Sequence, residues 1–172
     1  PTFRKNTDKS IYNVDANAIC MALEKRFGGY FEFAMRLHPN EAEYAEEITR
    51  ELGVVNATNY PDMQELLAAV DVLITDYSGC MFDFGFARKP VFLLAKDVEK
   101  YLREEREWYF KLEDVPFDLA QSEKALEDNI LNFNENRYRQ SCVDFEKEIG
   151  FVDFAKMLAD RIIKKIDRGN IC

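Results

Sequence analysis

The run Val72 to Thr75 (VLIT), followed at once by Asp76-Tyr77-Ser78-Gly79, constrains this chain more than any other stretch. Its residues form a continuous apolar and β-branched run of strand length, the pattern of a strand buried on both faces. A second such run, Val91 to Leu94 (VFLL), begins after Lys89-Pro90. Between the two lies a helix-like segment with Phe82 and Phe86 on one side. Buried strands separated by helices imply a parallel sheet with helices on both faces.

The preceding residues keep the same alternation. Ile19, Leu23 and Phe27 recur every four positions, and Gly28-Gly29 stops that helix. Phe31 to Leu37 (FEFAMRL) has strand length and ends at His38-Pro39, since proline cannot donate to a ladder. Asn40 is the expected N-cap of the next helix, with Glu41 and Glu43 complementing its positive end. Tyr44, Ile48 and Leu52 give that helix one apolar face, and Gly53 closes it. Val54-Val55 reads as a short strand, and Asp62-x-x-Glu65 as a capping box before Leu66, Leu67 and Val70. Beyond about residue 97 the strand signal fades, and Phe154, Leu158, Ile162 and Ile166 mark a last helix. No low-complexity linker or internal repeat interrupts the chain, so residues 1–172 read as one domain.

Composition supports a packed protein: 47% of the 172 residues are hydrophobic, with 14 Phe and 8 Tyr. The net charge of −9 argues against nonspecific nucleic-acid binding. Cys20, Cys80, Cys142 and Cys172 form no CxxC pair and suit a reducing compartment. One histidine and scattered cysteines build no metal site, and the reading requires no cofactor. No stretch of about 18 apolar residues spans a membrane, and no signal peptide is visible. The chain opens at Pro1 rather than Met and is read as a piece that begins inside a larger protein.

In a parallel α/β sheet, ligands bind beyond the carboxyl ends of the strands. Three polar segments fall at such ends: Thr2-Phe3-Arg4, Arg36-Leu37-His38-Pro39 and Thr75-Asp76-Tyr77-Ser78-Gly79. A Ser-Gly turn into a helix offers a hydroxyl and backbone N–H groups to phosphate. Ser78 equally suits a capping role, and the two are compatible. His38, the single histidine, can donate to a phosphate oxygen or be merely structural. Arg36 shares its strand face two residues earlier and strengthens the anion-pocket reading. Arg4 is placed to point into the same crevice, whereas Arg103 and Arg106, among glutamates, suit a solvated helix face. Asp76 and Asp83 are open between ribose acceptor, cap and metal ligand, and two carboxylates are weak evidence for metal. No GxxxxGK(S/T), GxGxxG or GxSxG motif is present.

Taken together, PTFR, RLHPN and LLAAVDVLITDYSGCMFDFGFARKPVFLLAKDVEKY resemble the CDP-glycerol glycerophosphotransferase family, the teichoic-acid primases and polymerases. The specific part is the ITDYS-x-x-x-FD block, followed by a Lys-Pro strand and a D-x-x-x-Y segment; the likeness runs from Pro1 to about Phe110. It implies a Rossmann-like parallel sheet flanked by helices, the C-terminal domain of a GT-B type transferase. It also implies that this domain holds the diphosphate of CDP-glycerol, without metal, while the general base and the polymer acceptor site belong to a missing N-terminal domain. His38 and Ser78 are then diphosphate ligands, Arg36 and Arg4 supporting cations, and Asp83 a polar anchor. Gly79, Thr75 and Asp76 complete the substrate-binding set, and no catalytic residue lies in this chain. The implied location is the cytoplasmic face of a bacterial cell membrane, reached through the rest of the protein.

Two departures stand out. The family usually has a second Ser where this chain has Gly79, and an Arg-Gly pair where Glu107 follows Arg106. CDP-ribitol or another activated polyol phosphate fits the same expectation. Competing readings are a GT-B sugar transferase using a UDP-sugar, a non-catalytic α/β nucleotide-binding module, and an inert scaffold whose polar strand ends are caps.

Overall fold

Up to about residue 97, strand and helix alternate in the order that the apolar spacing predicts. The protein is seen in a computed structural model that describes residues 1–3, 9–104, 111–150 and 154–167. Helix α1 (Ala16–Phe27) precedes β1 (Ala34–Met35), α2 (Ala42–Leu52) and β2 (Val55–Asn56). Then come α3 (Met63–Ala69), β3 (Leu73–Thr75), α4 (Cys80–Phe86), β4 (Val91–Leu94) and α5 (Val98–Glu104). The described chain closes with β5 (Asp118–Ala120), α6 (Glu123–Leu131), α7 (Glu135–Glu148) and α8 (Phe154–Asp167). It forms two compact units, Pro1–Cys142 and Val143–Cys172.

All strand pairs in the first unit are parallel. β1 pairs with β2, and a separate sheet has the order β3-β4-β5. β4 is the central strand of the larger sheet, and Val91, Phe92 and Leu93 are fully buried. That is the condition expected of a parallel strand covered on both faces. Met81 and Phe84 of α4 and Leu126 and Ile130 of α6 are fully buried with them. Phe92 meets Phe133 edge-on at 5.4 Å, and Phe133 packs against Tyr138 at 5.2 Å. A second core gathers Tyr12, Met35, Leu37, Ala45 and Ile48 beneath the small sheet.

Local chemistry explains most helix ends. Asp62 accepts from the N–H groups of Gln64 and Glu65 at 2.8 and 3.0 Å, the cap its spacing predicts. Gly53 closes α2 at φ +68, a left-handed conformation that glycine reaches without penalty. Lys89 finishes α3 from a distance: its Nζ donates to the carbonyls of Leu67, Ala68 and Val70. The ammonium thereby neutralises the negative end of that helix.

Three sequence expectations need correction. Asn40 does not cap α2: it lies inside a 3-10 turn (Pro39–Glu41) that His38 caps by accepting from the Asn40 N–H, and the N-cap of α2 is Glu41, with no side-chain cap bond. Pro39, with its fixed φ, starts the turn two residues earlier than Asn40 capping requires. Strand β5 lies beyond the point where strand signal fades, because a three-residue strand leaves too short a pattern to read. The VLIT run is expected to be buried on both faces, yet Leu73 and Ile74 are only half-buried. In the second unit, α8 carries the apolar stripe as read, with Leu158, Ile162 and Ile166 each about half exposed.

Gly85 tests the packing of the larger core. A Cβ there falls 2.5 Å from the Phe117 ring, itself buried and 6.3 Å from Tyr138. Gly85→Ala is expected to cost about 1–3 kcal/mol through overpacking. This outweighs the roughly 1 kcal/mol that alanine gains over glycine in a helix. The measurement is the denaturant midpoint at unchanged slope; a midpoint equal to or above that of the parent chain contradicts the packing argument.

Candidate functional site

Parallel strands deliver their carboxyl ends to one side of a sheet, and here two polar segments converge there. A cavity of about 600 Å³ is lined by Arg36, His38, Thr75, Asp76 and Ser78. His38 follows β1 by three residues, and Ser78 follows β3 by three. The third predicted segment joins them through its first residues. Pro1 lines the cavity, Thr2 donates to the Asp76 carboxylate, and the Phe3 ring lies 5.5 Å from the His38 ring. Arg4, Arg106 and Glu107 lie outside the described residues.

His38 is exposed, and its Nδ1 accepts from the Asn40 N–H at 3.2 Å. An accepting Nδ1 places the proton of a neutral ring on Nε2, which can then serve a ligand as a donor. Ser78 is half-buried at the start of the turn, and its carbonyl accepts from Met81 at 3.2 Å. Backbone N–H groups at the opening of a helix have no intrahelical acceptor, so this turn offers several donors in one place.

Gly79 is the N-cap of α4 at φ −58, an ordinary right-handed conformation, and a Cβ there meets nothing within 4 Å. The backbone therefore does not require glycine, and a serine fits. α4 has only seven residues, so its dipole is weaker than the sequence argument assumes, and individual N–H and O–H donors matter more.

The other predicted residues occupy defined positions. Asp76 is buried and takes bonds from the Thr2 N–H and hydroxyl, each at 2.8 Å, and from its neighbour Tyr77 at 2.7 Å. It ties the first residues of the chain to the end of β3. Arg36 turns its guanidinium to the Tyr60 carbonyl at 2.6 Å, with its stem on the cavity wall. Thr75 is buried in β3 and lines the cavity. Gly79 and Asp83 do not line it; exposed Asp83 instead accepts from Gln64 of α3 at 3.4 Å. Among the described residues, no three His, Cys, Asp or Glu side chains gather as metal ligands.

Sequence reasoning passed over two features of the rim. Lys96, just past β4, lines the cavity and is held by Glu123 at 2.6 Å and the Asn13 carbonyl at 2.8 Å. Its partners lie 27 and 83 residues away, so no local pattern announces them. Tyr77 donates to Asp97 at 2.8 Å and stacks on Tyr101 at 3.8 Å. The ITDYS and D-x-x-x-Y segments are thus one clasp, which fixes the turn bearing Ser78 against α5.

These strands and this rim define a Rossmann-like α/β unit of the GT-B type. The chain belongs to the CDP-glycerol:poly(glycerophosphate) glycerophosphotransferase family, whose profile matches residues 1–154. It is 28% identical to a teichoic acid poly(glycerol phosphate) polymerase of Staphylococcus epidermidis, over 91% of this chain and 22% of that protein. Against a teichoic acid glycerol-phosphate transferase of Staphylococcus aureus the identity is 29%, over 84% of this chain and 38% of the relative. The fold is similar to that of a variant of the wall teichoic acid polymerase TagF, with a TM-score of 0.65 and 27% identity. That likeness covers 98% of this chain and 43% of TagF. The chain therefore spans less than half the length of each of these relatives.

Glu123 offers a test of the rim's electrostatics. Burial disfavours its charge, but bonds from Lys96 and the Asp15 N–H, with the Lys96 charge, prevail and lower its pKa. A depressed carboxyl stabilises the fold above its unfolded pKa and loses that contribution as pH falls through the folded value. At neutral pH, Glu123→Gln is expected to melt about 2–4 °C lower, as for a partly exposed pair worth up to ~1 kcal/mol. The difference should close near pH 3. A gap that stays constant from pH 7 to 3 contradicts the ionic account.

Proposed function

We propose that this chain is the donor-nucleotide-binding part of a glycerophosphotransferase that uses CDP-glycerol or a related CDP-polyol. The observation that carries the reading is that His38 and Ser78, from segments far apart in sequence, line one cavity. Family membership supports CDP-glycerol as the donor, since the family takes its name from that compound. A TagF variant soaked with CDPG is also a structural neighbour, at TM-score 0.65 and 27% identity. A Bacillus spizizenii poly(ribitol-phosphate) polymerase, 25% identical over 96% of this chain, supports the wider range of polyols.

In this reading the His38 Nε2–H, the Ser78 hydroxyl and the turn's N–H groups hold the donor diphosphate. Arg36 supplies positive charge once a ligand competes with the Tyr60 carbonyl. An acceptor hydroxyl attacks the phosphorus of the glycerol phosphate, a new O–P bond forms, and the P–O bond to CMP breaks. Donors already aimed at the leaving phosphate stabilise the charge that develops on it. The hydroxyl proton passes to a base supplied from outside this chain. The product is a cell-surface polymer of the teichoic-acid kind, lengthened by one unit. Contact with the cytoplasmic face of the membrane is made by the rest of the protein; no described helix here is long and apolar enough to cross one.

Titration calorimetry with CDP-glycerol, CDP and UDP tests the reading. His38→Ala and Ser78→Ala should each weaken CDP binding about tenfold or more, since a hydrogen bond to a charged group contributes ~1.5–3 kcal/mol. Gly79→Ser should fold normally and bind CDP at least as tightly. Unchanged binding in both alanine variants overturns the site, and a preference for UDP overturns the donor class.

A further inference from the structure

Tyr77 and Tyr101 are both buried, and their rings stack at 3.8 Å with 16° between the planes. A stack of that kind needs only two aromatic faces, which phenylalanine supplies equally well. The Tyr77 hydroxyl is therefore the unexplained part of the clasp. It donates to the Asp97 carboxylate at 2.8 Å, a bond to a charged acceptor and so among the stronger ones. Tyr77 does not line the cavity, whereas its neighbour Ser78 does. Whatever Tyr77 does for a ligand, it does through Ser78.

The backbone around Ser78 is held on both sides. Before it, the Tyr77 N–H donates to the Asp76 carboxylate at 2.7 Å, and the Tyr77 side chain is anchored inward by ring and hydroxyl together. After it, the Ser78 carbonyl accepts from Met81 at 3.2 Å and the Gly79 carbonyl from Phe82 at 3.1 Å. The anchor itself stands on the neighbouring strand. Asp97 follows β4 by three residues, as Ser78 follows β3 by three, and β3 and β4 are paired along their length. The Asp97 carbonyl also accepts from the Tyr101 N–H at 2.9 Å, which fixes the stacked ring relative to the carboxylate. A donor group held in one geometry before its ligand arrives loses less freedom on binding.

We infer that Tyr77 is a positioning residue for the donor site: its hydroxyl bond to Asp97 fixes the direction in which Ser78 faces the cavity and so sets the affinity for the diphosphate. This role rests on the donor reading, since it needs a ligand at Ser78. It adds that the affinity depends on a hydroxyl outside the cavity and on α5, which carries Tyr101.

The test is titration calorimetry with CDP on the parent chain, on Tyr77→Phe, on Ser78→Ala and on the double variant. Phenylalanine keeps the ring and its stack and loses only the hydroxyl. Tyr77→Phe should weaken CDP binding about three- to tenfold when Ser78 is present and less than about twofold when it is alanine, as for residues that act through one another. Weakening by the same factor in both backgrounds marks a tyrosine that serves the fold alone, and overturns the inference. Parental affinity in Tyr77→Phe, with Ser78→Ala weakened, also overturns it and leaves the donor reading standing. Parental affinity in Ser78→Ala sinks the donor reading, and the positioning role with it. A second measurement needs no variant. Coupling between sites is reciprocal, so saturating CDP should slow exchange of the Tyr101 amide at least about threefold. An unchanged Tyr101 rate on CDP binding overturns the inference even where Tyr77→Phe fails to fold.

Discussion

Everything in the first unit is organised around a strand that has no solvent face. Val91, Phe92 and Leu93 can be dry only if helices cover the sheet on both sides, and that requirement recruits α4 and α6. The Phe92–Phe133–Tyr138 ring chain carries the same constraint to the start of α7. Burial pushes the Tyr138 phenol far above its ordinary range, and its hydroxyl donates to the Lys89 carbonyl at 2.6 Å. Lys89 in turn completes α3. One buried strand therefore fixes the helices that hold the turns of the candidate site.

Charge is spent locally in this protein. Lys96 is engaged by Glu123, Lys89 by three helix carbonyls and Arg36 by Tyr60. With a net charge of −9, the rim does not attract an anion by a broad positive field. A phosphate held there relies on short-range donors, which favour a ligand of defined shape over polyanions in general. The family's CDP-linked donor is a ligand of that kind.

What was legible in the sequence was whatever depends on near neighbours. The Asp62 cap involves residues two and three positions away, and the VFLL run declares its burial by composition. His38 and Ser78 could be placed together because strand ends in a parallel sheet share one side. The illegible parts depend on distant partners. Nothing near Lys89 signals that α3 ends beside it, and nothing near Tyr77 signals a stack with Tyr101. β5 escaped notice because its three residues owe their strand state to the edge of β4. The family resemblance contained Tyr77, Asp97 and Tyr101 as a motif, and the geometry supplies the physical reason for it.

The bond between Thr2 and Asp76 joins residues 74 positions apart. Closing a flexible loop of that size costs roughly 4 kcal/mol in chain entropy beyond the fixed term. The caps, turns and βαβ pairs of the same unit close much shorter loops and can form without it. The contact that seats Phe3 beside His38 is accordingly among those that gain only late in folding, once the shorter loops are closed. The bonds from Asp15 to Glu123 and from Arg26 to Phe133 span 108 and 107 positions, so the rim's geometry shares its dependence on distant closure with the packing of α1 against the end of the unit.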